Sequence, residues 1–65
     1  MSSTVVVFYN KKGRELRTLT VINPVRWATN HFIRHPNGYV AIYHEGKFRH
    51  CFSIEQVQSL LPKSP

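Results

Sequence analysis

Two histidines one helical turn apart could bind a metal ion, and this chain has one such pair. His31 and His35 would lie on the same face of a helix. The glutamate that accompanies paired histidines in zinc peptidases is absent, Pro36 distorts the second position, and the sequence offers no third ligand. The spacing therefore predicts no metal site.

The neighbours His50 and Cys51 combine a base with a nucleophile, as thiol catalysis requires. Adjacent strand residues point to opposite faces, so these side chains cannot pair, and Cys51 is predicted to be a packing residue. Glu15, Glu45 and Glu55 fall in three separate elements, which excludes a carboxylate pair, and there is no glycine-rich phosphate loop. We expect a protein that is not an enzyme and uses no cofactor.

The charge of the chain favours an anionic partner. Nine Lys and Arg against three Glu give a net charge of +6 on 65 residues. Nucleic acid or an acidic protein surface would be attracted to such a chain. The cations are dispersed, however, and dispersed cations also serve solubility alone. Both interpretations stay open at this point.

Length and cysteine content limit the architecture. The 65 residues predict a single small domain, with tails at 1–3 and 62–65, that buries only about 60% of its unfolded surface. Cys51 has no partner for a disulfide, which suits a reducing compartment. The first residues lack a basic signal-peptide region, and the apolar run is too short to span a bilayer. We expect a cytoplasmic protein that does not bind membranes.

Hydrophobic patterning predicts the order ββαββα, an α+β fold with one four-stranded antiparallel sheet and two short helices on one face. Asn23-Pro24 is a helix start, and Ser53 with Gln56 forms a capping box for the second helix. The offset of Leu16 and Leu19 predicts a bulge or twist in the second strand. An alternative is a meander in which residues 25–34 form another strand. The predicted elements are strands at 4–9, 15–22, 39–43 and 48–52, a helix at 24–34, and a helix from 54 that ends at Pro62.

Alternation along the third and fourth strands predicts which side chains face solvent. Val40 and Ile42 should pack under the helices, together with Phe48 and Phe52 and, on the same side, His50. The opposite, open face of the sheet should then combine aromatic rings with cations, a composition that suits nucleic-acid bases and phosphates or a protein interface. A merely solvated face is the other interpretation. The predicted open-face residues are Tyr39, Tyr43, Lys47 and Arg49.

Trp27 raises a separate question, because it lies off the apolar stripe of the first helix. The ring either closes the edge of the core or stands at the rim as an anchor for a partner, where tryptophan is a typical hot-spot residue. Its candidate neighbours in a helix-side binding surface are Arg26, His31 and Arg34.

Three short strings resemble the Dmd antitoxin family of T-even bacteriophages: VVF at 6–8, VRWAT at 25–29 and VAIYHEGK at 40–47. The resemblance covers about residues 4–52, with a shorter first hairpin and an added C-terminal helix. It implies a small phage protein with a ββαββ core that binds and blocks a host toxin ribonuclease. The basic charge departs from that family's character, which leaves the particular toxin open.

We therefore expect a non-enzymatic binding protein, a phage-type inhibitor, antitoxin or accessory protein that sterically blocks a macromolecular partner. That partner would be a host or phage protein, such as a nuclease or another protein with an acidic or nucleic-acid-binding surface. The alternative is a basic domain that binds DNA or RNA through its open sheet face. A third hypothesis is a weak homodimer that pairs through edge strands.

Overall fold

The elements of the chain end where its glycines, prolines and asparagines interrupt the apolar pattern. The computed structural model describes residues 3–61. Four strands form one sheet in the order β2-β1-β3-β4, and every neighbouring pair is antiparallel. This confirms the ββαββα, α+β prediction. The elements are β1 (Thr4–Tyr9), β2 (Glu15–Val21), α1 (Pro24–Arg34), β3 (Tyr39–His44), β4 (Lys47–Cys51) and α2 (Ile54–Leu60).

The hairpin between β1 and β2 is held by its own asparagine. Oδ1 of Asn10 accepts the backbone N–H groups of Lys12 and Arg14 at 3.0 and 2.9 Å, and Gly13 has the positive φ of 79° that the loop needs. Phe8 pairs with Arg17 but Tyr9 pairs with Glu15, so β2 carries one extra residue. The predicted bulge is confirmed.

Helix α1 has the predicted bounds because each end has a local cause. Oδ1 of Asn23 accepts the N–H of Arg26 at 3.4 Å, and Pro24 occupies the first turn, where a missing N–H costs nothing. Pro36 disfavours helix at His35, where α1 ends. The strand alternative for residues 25–34 is therefore wrong.

The start of α2 uses only part of the predicted capping box. Ser53 is the N-cap residue with extended backbone, but its side chain makes no cap hydrogen bond. Gln56 instead accepts the backbone N–H of Phe52 through Oε1. The predicted stop at Pro62 and all of the predicted tails except Ser3 lie outside the described residues.

The turn between β3 and β4 determines which side of β4 faces the core. Glu45 and Gly46 both have positive φ, 49° and 79°, as a two-residue type I′ turn requires. His44 then pairs with Lys47, and Tyr43 with Phe48. Because directly opposed residues share a face, Phe48 lies on the side of Tyr43 and not on that of Val40 and Ile42.

The core lies between the sheet and both helices. Val40 and Ile42 are buried as predicted, but the predicted inward face of β4 is wrong: Cys51 packs in the core, whereas Phe48 and Phe52 are exposed. No helix within residues 3–61 has the length and apolar character needed to cross a membrane. The buried core residues are Val6, Phe8, Val21, Ala28, Val40, Ile42, Cys51 and Val57.

Candidate functional site

The open face of the sheet, which the helices leave uncovered, is aromatic. The solvent face of an antiparallel sheet normally carries polar side chains. Here Tyr9 pairs with Tyr39, Ala41 with His50, and Tyr43 with Phe48, and each pair projects to this face. We name these rings, with Phe52 at the end of β4, the aromatic face: Tyr9, Tyr39, Tyr43, Phe48, His50 and Phe52.

Rings of the aromatic face contact one another in a continuous band. Tyr9 and Tyr39 are stacked, with centroids 4.6 Å apart and planes inclined by 9°. Phe52 lies 4.9 Å from Tyr39, and His50 meets Tyr39 edge-on at 5.6 Å. Phe48 continues the band with an edge-on contact of 5.2 Å to His50. Such contacts fix the rings in place, so the face is organised before any partner binds.

The band is also open to solvent. Tyr43, Phe48 and Phe52 expose 51%, 58% and 61% of their surface. Exposed apolar residues are ordinary when they are scattered, but a contiguous patch of aromatic rings on a small protein marks an interaction surface. Tyr43 lies opposite Phe48, and Phe48 is connected to Phe52 through the rings of His50 and Tyr39, so these residues form one patch.

Lys47 and Arg49 are not part of this patch. They pair with His44 and Ile42 and project to the helix side, where Arg49 Nη1 donates to Ser59 Oγ of α2 at 3.4 Å. The predicted grouping of these cations with Tyr39 and Tyr43 is wrong. Within β3 and β4, the residues on the aromatic face carry no carboxylate, ammonium or guanidinium group.

The sequence prediction missed the rings that β4 contributes to this face and Tyr9 of β1. A signal for the β4 rings was present in the string HEGK. A two-residue turn at Glu45-Gly46 pairs His44 with Lys47 and therefore Tyr43 with Phe48. This pairing places Phe48 on the open face, although its hydrophobicity alone would favour the core.

Trp27 covers a cation on the opposite side of the molecule. The Arg17 guanidinium lies 5.6 Å from the Trp27 ring and 5.6 Å from the Phe8 ring, so it is held between them. Trp27 remains 38% exposed and lines a cleft of about 450 Å³ together with Arg34. Trp27 thus covers the edge of the core through Arg17 and is also partly exposed at the rim of the cleft. Each of the two placements predicted for it is therefore partly correct. Arg26 is exposed beside it.

His31 lines the same cleft as Trp27 and Arg34, but it is largely buried, with 7% exposure. Its Nε2 donates to the Tyr9 carbonyl oxygen at 2.8 Å. Burial lowers the pKa of His31 below 6.5, opposed by that hydrogen bond and assisted by the nearby His35. His31 therefore ties α1 to the sheet and lies with Trp27 and Arg34 at the cleft, as grouped in the sequence analysis, although little of its ring is accessible.

Two further groups are buried in ways that limit their chemistry. Burial raises the pKa of the Cys51 thiol above 9.0, opposite to what an activated nucleophile needs. His44 Nδ1 lies 2.6 Å from Thr4 Oγ1, while its buried Nε2 has no hydrogen-bond partner within residues 3–61 and Glu45 Oε1 is 3.9 Å away. No three histidine, cysteine or glutamate side chains of that range converge as metal ligands.

The β1–β2 loop reaches one end of the aromatic face. A Cβ at Gly13 in this loop would lie 3.6 Å from the Tyr39 hydroxyl. Glu15 of β2 lies opposite Tyr9 at the same end. The aromatic face is therefore uncharged along β3 and β4 and has a carboxylate residue at its β2 border.

Comparison of this chain with protein-family models, with curated proteins and with solved structures gave no match.

Proposed function

We propose that this chain is a non-enzymatic binding module that docks its aromatic face on a protein partner and acts by covering the partner's surface. The observation that carries the proposal is the exposed, contiguous aromatic band on the uncovered side of the sheet. Tyrosine and phenylalanine are enriched at the centres of protein interfaces, where they supply large contact area at low entropic cost. The resemblance to the Dmd antitoxins favours the same mode of action, a phage-type inhibitor.

A protein suits this face better than nucleic acid does. Bases stack on the flat sides of aromatic rings, yet Tyr9 and Tyr39 already stack on each other. Phosphates need nearby cations, and Lys47 and Arg49 project from the other side of the sheet. An aromatic, uncharged centre is the composition of a protein interface.

The net charge of the chain indicates the charge of the partner. The chain carries a net charge of +6, which attracts an acidic protein over distances longer than a direct contact. We infer a partner with an apolar patch surrounded by carboxylates, because complementary charge speeds docking and disfavours other partners. In this proposal the protein acts in the cytoplasm, where Cys51 remains a thiol.

Position-resolved photocrosslinking tests the proposal. A benzophenone amino acid replaces Phe48 or Phe52 on the aromatic face and, as controls, Leu16 or Ile22, which are exposed near Trp27 on the helix side. In cells that contain the partner, we expect an adduct with one acidic protein from positions 48 and 52 only. Nuclease treatment should leave the adduct unchanged. Equal adduct formation from positions 16 and 22 contradicts the proposal.

A second arm uses Phe48→Ser combined with Phe52→Ser, compared with Leu16→Ser combined with Ile22→Ser. Both pairs remove exposed apolar surface, so thermal unfolding should report folded protein in each case. The first pair should abolish retention of the crosslinked partner, and the second should preserve it. Adducts only between two copies of this chain, with a dimer in sedimentation, would replace the proposal with self-association.

A further inference from the structure

A basic cleft lies at one end of the molecule, between the β1–β2 loop and the α1–β3 connection. Its volume is about 510 Å³. Lys11, Lys12 and Arg14 line it from the loop, and Arg34 and His35 line it from the end of α1. These two groups are separated by about twenty residues of sequence and meet only in the folded chain.

The cleft concentrates unneutralised positive charge. It holds four of the nine Lys and Arg residues of the chain, and no glutamate lines it. Among residues 3–61, none of these four cations has a carboxylate oxygen within 4.0 Å. Cations that converge without counter-charges repel one another, so an anion bound between them relieves that repulsion.

The walls of the cleft are fixed by their own hydrogen bonds. The Asn10 carboxamide holds the backbone of Lys12 and Arg14. On the other side, the Gly38 N–H donates to the His35 carbonyl oxygen at 2.9 Å. Because these backbone donors are already used, the side-chain cations are the groups that remain for a ligand. The backbone that carries these cations is therefore organised in advance.

We propose that this cleft binds the sugar-phosphate backbone of a single-stranded nucleic acid. Lysine and arginine bind phosphate oxygens by charge and hydrogen bonding. Four cations exceed what one phosphate needs and match consecutive phosphates along a strand. The cleft, with a volume of about 510 Å³, is large enough for the backbone of one strand. This site is separate from the aromatic face and does not depend on the proposed protein partner.

Fluorescence anisotropy with a short labelled single-stranded oligonucleotide tests this inference. We expect saturable binding at low salt that weakens with rising salt. If all four cations contact phosphates, the slope of log affinity against log salt is about −2.8, because single strands contribute about −0.7 per phosphate. No binding at low salt would overturn the proposal.

Charge-matched variants locate the site. A variant of the basic cleft, here called the groove variant, combines Lys12→Gln, Arg14→Gln and Arg34→Gln. The control variant combines Arg26→Gln, Lys47→Gln and Arg49→Gln. Each removes three charges, so an effect of net charge alone would be equal in both. We expect the groove variant to lose at least about tenfold in affinity and to show a slope about 2 units shallower, with the control nearer to wild type. Equal losses would overturn the assignment.

Two competition experiments distinguish a site for nucleic-acid phosphates from a site for small phosphate anions. Unlabelled oligonucleotide should displace the probe, whereas inorganic phosphate or pyrophosphate at the same phosphate concentration should not. Displacement by inorganic phosphate alone would make this a small-anion site and overturn the nucleic-acid assignment. The groove variant should still form the position-48 crosslink, so failure of this site and failure of the aromatic face are distinguishable.

Discussion

Phe48 lies directly opposite Tyr43 in the β3–β4 ladder, so both rings project from the uncovered side of the sheet. This pairing converts a face predicted to mix phenols with cations into one that is aromatic and uncharged along two strands. It is the reason to expect a protein partner there and to look for phosphate recognition at the basic cleft instead.

The turn that sets this pairing carries backbone strain that a substitution can relieve. Glu45 has a φ of 49°, a conformation that costs an ordinary residue about 1–2 kcal/mol and that asparagine tolerates better. We expect Glu45→Asn to raise the free energy of unfolding by about 0.5–1 kcal/mol in urea denaturation. Glu45→Ala is the control, because it removes the carboxylate without easing the turn. Equal stabilisation by alanine would assign the gain to charge.

Gly38 is required because the chain has no room for a side chain there. A Cβ at this position would lie 2.5 Å from the Tyr9 carbonyl oxygen and 3.1 Å from His31 Nε2. We expect Gly38→Ala to destabilise the fold by about 1–3 kcal/mol, as overpacking does. The ring signals of His31 should shift in NMR spectra of the variant, since the alanine methyl displaces the hydrogen bond to Tyr9. A variant as stable as wild type would show that the loop adjusts freely.

Stability should fall in mild acid because of His31. Burial holds the folded-state pKa below 6.5, so the unfolded chain binds a proton first as the pH drops. The contribution of the neutral His31 ring to the free energy of unfolding is complete above about pH 6.5. It is lost as the pH falls through the folded-state pKa of His31. The charged or titratable groups that affect it are His35 and Arg17, and both oppose its protonation.

Urea denaturation across this pH range checks the effect. His31→Gln retains an N–H donor for the Tyr9 carbonyl but cannot titrate, so it should flatten the pH dependence. His50→Gln, at an exposed position on the aromatic face, is the matched control and should leave the dependence unchanged. Identical pH profiles for His31→Gln and wild type would mean that another group is responsible.

Arg17 and Trp27 should be energetically coupled, because the guanidinium lies 5.6 Å from the ring centroid. A double-mutant cycle with Arg17→Met and Trp27→Leu should give a coupling of about 0.5–1 kcal/mol in unfolding free energy. Arg26→Met replaces Arg17→Met in the control cycle and should give a coupling near zero. A coupling as large in the control would indicate a general effect of positive charge near the indole.

Local signals in the sequence were sufficient for most of the fold. Asn23-Pro24 and Pro36 bound α1 because capping and proline geometry act within a few residues. The dense β-branched run of β1 and the Gly13 loop produce the first hairpin for the same kind of reason. Two of the six rings of the aromatic face were also predictable, since Tyr39 and Tyr43 alternate with the buried Val40 and Ile42.

The composition of the two surfaces was decided by tertiary structure. Strand alternation alone leaves the face of β4 ambiguous, and hydrophobicity favours Phe48 and Phe52 inside. The two-residue turn pairs Tyr43 with Phe48, and Cys51 then enters the core beside Val40. The basic cleft likewise needs residues 11–14 and 34–35 to meet at one end of the sheet. Sequence determines what each segment forms by itself, whereas pairing between segments determines which side chains share a surface, because contacts between distant residues exist only in the folded chain.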